Sequence, residues 1–267
     1  MLTDSGVIEE KIKMYDLNEK IVINAFVAHL EKQGYPGLKV DRQPDEENRK
    51  SSDIDAIAGK FAIEHTSIDT LPYQRRDSAR YLKIIDGIKD EFMDKIPYRL
   101  KLTFPYEAVQ LGQEWGKIRD SLKEWIINYS SILPDGIRLI CDAPGIPFEF
   151  TVRKVGGRMP GVYFSRSESS DNSLPDRIRE QLGRKARKLL PYKSKGYTTI
   201  LLVESNDFSL MNLSKMLNAI SSGFAQRLPE GINQIWYAET DTDTPEEIYF
   251  DDLTEAIQEQ QNKGNKP

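Results

Sequence analysis

The chain has 267 residues, enough for one large domain or two smaller ones with a substantial buried core. A net charge of −5 with 30% charged residues argues against a nucleic-acid binder that works by bulk positive charge. The same composition, with no apolar run near the roughly 20 residues of a bilayer span, argues against an integral membrane protein. One cysteine, Cys141, rules out disulfides within the chain and cysteine-rich zinc sites, and His29 and His65 alone rule out a multi-histidine centre, which leaves metal chemistry to carboxylates.

The opening MLTDSGVIEEKIK carries acids and lacks the apolar stretch of a secretory signal, so a cytoplasmic location is expected. Apolar spacing predicts a helix over residues 8–33, with Ile12, Tyr15, Ile23, Phe26, Val27 and Leu30 inward and an end near Gly34. A polar loop from Asp41 to Ser52 leads into DIDAIAGKFAIEHTSID, residues 53–69. Gly59-Lys60 reads as a two-residue type II′ turn, which sets Ala58 opposite Phe61, Ile57 opposite Ala62, Ala56 opposite Ile63 and Asp55 opposite Glu64. Asp53, Asp55, Glu64 and Thr66 then share one face, while Ile54, Ala56, Ala58, Phe61, Ile63 and His65 share the core face. Like charges held opposite each other cost roughly 0.2–1 kcal/mol, and two hard oxygen ligands at that spacing suit Mg²⁺ or Mn²⁺.

Beyond the hairpin, residues 74–95 and 107–129 pattern as helices, 98–104 as a strand, and 137–166 as a strand-rich stretch broken by Pro144-Gly145 and Gly156-Gly157. SESSDNSLPD, 167–176, reads as a flexible loop. Asp176 to Lys195 forms a basic amphipathic helix with Ile178, Leu182, Leu189 and Leu190 as its inner stripe; Arg184, Lys185, Arg187 and Lys188 are its candidate phosphate contacts. YTTILLVES, 197–205, is a continuous apolar run of the buried parallel kind, followed by a helix over about 211–228, a strand over 232–240 and a polar, frayed tail.

The acid hairpin resembles the signature of the PD-(D/E)xK nuclease superfamily, in which a strand Asp is followed about ten residues later by Glu-x-Lys on the neighbouring strand. Asp55 matches the Asp and Glu64 the second acid, whereas Thr66 stands at the Lys position. The resemblance implies a restriction-endonuclease-like α/β core, a mixed central sheet flanked by helices, over about 8–70 and 174–250. A large insertion, about 72–170, would follow the Glu-bearing strand within a single nuclease-like domain. It also implies a Mg²⁺ or Mn²⁺ cofactor on Asp55 and Glu64, with Asp53 as an alternative or outer-shell ligand, and DNA as substrate. A relocated lysine on the basic helix, Lys185 or Lys188, would replace the missing one, and Arg75 and Arg76 after the acid strand are further phosphate contacts.

Plainer roles stand beside each of these. Asp53 and Asp55 can cap an edge strand, Glu64 can form a structural ion pair, Thr66 can be an ordinary sheet residue, and the basic helix can present a solvated face. A nuclease-like module that lost its lysine and only binds nucleic acid or a partner protein is the alternative to the enzyme.

Overall fold

The computed structural model describes residues 18–47, 53–93, 95–156, 160–167, 171–206, 211–240, 242 and 244–264. In chain order the elements are α1 (Glu19–Lys32), α2 (Pro44–Glu47), β1 (Ala56–Ala58), β2 (Phe61–Ser67), α3 (Gln74–Ile85), α4 (Ile88–Glu91), β3 (Tyr98–Pro105), α5 (Trp115–Tyr129), β4 (Arg138–Ala143) and β5 (Ile146–Gly156). There follow β6 (Gly161–Ser167), α6 (Leu174–Ser194), β7 (Thr198–Ser205), α7 (Leu213–Gly223), β8 (Gln234–Glu239), β9 (Tyr249–Asp252) and α8 (Thr254–Gly264). The architecture is α/β, with mixed sheets flanked by helices. It divides into two compact units, Met1–Thr70 with Asn172–Pro267, and Leu71–Asp171.

The first unit is built on a five-stranded sheet in the order β1-β2-β7-β8-β9, parallel through β2, β7 and β8 and antiparallel at both edges. The unbroken apolar run of β7 follows from coverage on both faces. Ile63, Ile200, Leu202 and Trp236 pack against Val22, Ile23, Phe26, Val27 and Leu30 of α1. Ala62, Leu201, Val203, Ile235 and Tyr237 pack against the apolar stripes of α6, α7 and α8. The Asn18 side chain accepts from Lys20 N at the start of α1. The earlier part of the helix expected over residues 8–33, with Ile12 and Tyr15, lies outside the described residues.

The hairpin closes through Gly59 at φ 51, and Lys60 is not left-handed, the pattern of a II′ turn. Pairing runs Ala58↔Phe61, Ile57↔Ala62 and Ala56↔Ile63, then stops. Ile54 departs from the expected face: it packs with Ile57 and Ala62 in the α6 layer, not with Ala56 and Ala58. Alternation ends there because the next backbone donor of β2, His65 N–H, bonds the Asp55 side chain at 2.6 Å and not a strand carbonyl. The chain end is also more ordered than its polar letters suggest. Thr254–Gly264 is helical because Leu253 and Ile257 are buried and Gln261 Nε2 donates to Phe224 O at 2.6 Å.

The second unit has a four-stranded sheet in the order β4-β5-β3-β6. Leu100, Leu102, Phe104, Phe150, Val152 and Val162 pack with Ile84, Ile118, Leu122 and Trp125 of α3 and α5. The helix expected over 74–95 is two helices, divided at Gly87 with φ 75. The one expected over 107–129 starts only at Trp115, because Gly112 is left-handed and Gln113 Oε1 takes Gln110 N–H at 2.8 Å. Among the described residues no helix is long and apolar enough to cross a membrane.

Candidate metal-binding site

Gln181, Lys185, Lys188 and Tyr192 recur every three or four residues, so they form one row on α6. That row lies along the acid hairpin. Gln181 Nε2 donates to Thr66 Oγ1 at 2.7 Å and to Ser67 O at 3.0 Å. Lys185 Nζ donates to Glu64 Oε1 at 2.5 Å, and Lys188 Nζ to the same oxygen at 2.8 Å and to Asp53 O at 2.9 Å. Tyr192 OH donates to Asp53 Oδ1 at 2.8 Å.

Glu64 has no exposed surface. A carboxylate so placed is tolerated only with charge and hydrogen-bond compensation, and the two ammonium groups supply it. Its Oε2 is buried with no hydrogen-bond partner among the described residues. Burial works against the Lys188 ammonium, but its bond to Glu64 holds its pKa above the ordinary lysine value.

Asp55 meets different acids. Its carboxylate, with those of Glu19 at the start of α1 and Asp45 in α2, places one oxygen from each within 4.8 Å of the others. Burial first, then the charge of Glu64, pushes Asp55 up to about 7; burial raises Asp45 as well. Three hard oxygens with a buried, unpartnered Glu64 oxygen nearby suit Mg²⁺ or Mn²⁺. The set differs from the one the sequence points to. Asp55 belongs to it, Glu64 stands beside it, and Asp53 is turned to Tyr192 and to Ile54 N.

His65 is on the other face of β2, ion-paired through Nε2 to Glu204 Oε2 at 2.9 Å and through Nδ1 to Glu19 Oε2 at 3.6 Å. Burial would lower its pKa, but the two carboxylates outweigh that and raise it to about 9. His65 in turn holds Glu19 below the usual carboxylate range. Thr240 Oγ1 donates to Glu204 Oε1 at 2.6 Å, anchoring the far end of this chain.

The basic helix therefore splits by face. Lys185 and Lys188 point inward to Glu64, while Arg184 and Arg187 are exposed. Arg75 and Arg76 are exposed on α3 in the second unit, where the Arg76 guanidinium lies 4.0 Å from the centre of the Tyr73 ring. Sequence reasoning missed Glu19, Asp45, Gln181, Tyr192 and Glu204. A row at i, i+4, i+7 and i+11 on α6 was visible in the letters for Gln181 and Tyr192. Nothing local marks Glu19 or Asp45 as neighbours of Asp55. No protein-family model, curated protein or solved structure matches this chain.

Proposed function

We propose that this protein is a metal-dependent nuclease of the restriction-endonuclease-like kind, hydrolysing phosphodiester bonds of DNA. The observation that carries the reading is Glu64, buried and bonded by Lys185 and Lys188, beside an Asp55 whose carboxyl is raised to about 7. Perturbed carboxylates and lysines gathered from separate elements mark functional sites more often than ordinary surface pairs. The order of α1, acid hairpin, crossover helix α6 and β7 parallel to β2 agrees with the core that the resemblance implies.

When bound, Mg²⁺ or Mn²⁺ polarises a phosphoryl oxygen and lowers the pKa of a water. Asp55, Glu19 and Asp45 would hold it. Lys185 and Lys188 bring positive charge from α6 to the place where the strand lysine is missing, since stabilising a phosphoryl group needs a cation at the right point and not at one sequence position. Thr66 keeps that helix in register through Gln181. A cytoplasmic setting accompanies this reading and rests on the lone cysteine.

The second reading, a nuclease-like module that binds without cutting, draws on one fact: both lysines bond Glu64 directly. Nicking of supercoiled plasmid in Mg²⁺ or Mn²⁺, together with calorimetric titration of Mn²⁺, separates the two. The nuclease cuts, and Asp55→Asn abolishes both cutting and Mn²⁺ binding. Retained DNA affinity with no cutting of single- or double-stranded DNA supports the module instead. Absence of Mn²⁺ binding by the unaltered chain overturns the metal site.

A further inference from the structure

The sheet of the second unit packs helices on one face, and the alternate residues of its strands point the other way. On that outward face, Arg138 of β4 stands opposite Arg153 of β5, Arg153 opposite Lys101 of β3, and Lys101 beside Tyr163 of β6. One row across all four strands thus carries three consecutive cations and an aromatic ring. Neighbouring strands are about 4.8 Å apart, so the three charges span roughly 10 Å. The Arg99 guanidinium joins them, 4.4 Å from the centre of the Tyr163 ring. All four cations are exposed, and none forms an ion pair with a described residue. The acids of this face, Asp142 and Glu149, lie toward the opposite ends of β4 and β5.

Same-sign neighbours directly across a ladder repel, so this row opposes pairing unless something outside the chain neutralises it. Its shape decides what. A row of exposed charge on a sheet face does not select a small ligand, whose sites are concave. It matches an extended polyanion. A DNA duplex carries one negative charge per about 1.7 Å of its axis, so a row this long meets several phosphates at once.

We propose that the outward face of the β4-β5-β3-β6 sheet is a docking surface for the backbone of double-stranded DNA, with Arg138, Arg153 and Lys101 as its phosphate contacts and Arg99 held in place by Tyr163. The choice of DNA among polyanions rests on the nuclease reading; the surface itself rests on register and charge. This places substrate capture on residues that the acid site does not use.

Fluorescence anisotropy of a labelled DNA duplex with the full chain, in EDTA and over a series of salt concentrations, tests it. The variant Lys101→Gln/Arg138→Gln/Arg153→Gln should bind at least about tenfold more weakly and lose about 2–3 units of log–log salt slope, near 0.9 per contact. Its thermal melting should be no lower than that of the unaltered protein, and should it melt early, Arg153→Gln alone must still lose about one unit of slope. An unchanged slope in either properly folded variant overturns the proposal. So does failure of the unaltered chain to bind duplex in EDTA, or loss of binding in Arg184→Gln/Arg187→Gln with the sheet variant unaffected. Because no metal is present, a chain that binds but never cuts refutes the nuclease alone, and one that cuts without using this face refutes the docking surface alone.

Discussion

In the first unit's sheet, cations from α6 reach across to a buried carboxylate more than a hundred residues away in sequence; in the second unit's sheet, cations stand side by side on an exposed face. The difference comes from coverage. The first sheet has helices on both faces, so any charge inside it must be matched or must serve a purpose. The second is covered on one side, and water tolerates unmatched charge on the other at a modest repulsive cost. A lysine therefore means different things in the two places: compensation for Glu64 in one, an outward field in the other.

The largest effect expected is on chemistry. Lys185→Met/Lys188→Met strips the positive charge from the buried site, and Mg²⁺-dependent plasmid cleavage should fall by about 10²–10³-fold, whereas Lys101→Gln measured at saturating DNA should leave the cleavage rate near that of the unaltered chain. Equal losses in both would erase the distinction between the sheets. Next in size is stability. Glu64→Ala leaves two partly buried ammonium groups without their acceptor and should cost about 3 kcal/mol by urea denaturation. Size and strand packing alone would let a Gln at this position leave stability little changed. The lysine pair says otherwise, because the amide keeps an acceptor but loses the charge, and Glu64→Gln should fall between Ala and the unaltered protein.

The acid cluster gives a pH signature. Asp55 titrates near 7 in the fold against about 3.8 unfolded, so it binds its proton more tightly when folded. Its contribution favours the fold below 3.8 and is lost as pH rises through 7. A metal must displace that proton, so Mn²⁺ affinity should rise by up to about tenfold per pH unit below 7 and level off above it; a flat profile between pH 5.5 and 8 would remove Asp55 from the ligand set. His65 works in a higher window: raised to about 9, it stabilises the fold fully below 6.5 and loses that contribution as pH climbs through 9. Thr66→Lys should cost about 1–3 kcal/mol, since the new chain displaces the Gln181 bond in a buried position and adds a cation beside Lys185. A gain in cleavage from that variant would show the strand position still usable. Smallest of all, Arg153→Gln should raise stability by about 0.2–1 kcal/mol by removing the middle charge of the exposed row, a change readable as a slightly higher denaturation midpoint.

Local patterning made much of the first sheet legible. A Gly followed by Lys between alternating apolar residues specified the turn and three ladder pairs, because a two-residue hairpin permits one register. The unbroken apolar run of β7 signalled a strand covered on both sides. The spacing of Ile178, Leu182 and Leu189 on α6 fixed which of its sides packs inward, and with it the flank that carries Lys185 and Lys188. What the letters could not carry was distance between elements. Asp45 and Glu19 meet Asp55 only because α1 and the segment before β1 pack at that end of the sheet, and no periodicity encodes such a meeting. The same holds for Asp53, which reads as a ligand beside Asp55 but is claimed by Tyr192 from α6. The basic row of the second sheet was hidden for a related reason. Its members come from three strands, Lys101, Arg138 and Arg153, with pairing that runs β4-β5-β3 and not in chain order. Sequence determines short-range geometry, because turn chemistry and side-chain period act over a few residues, while tertiary packing alone decides which distant charges become neighbours and which of them lose their water.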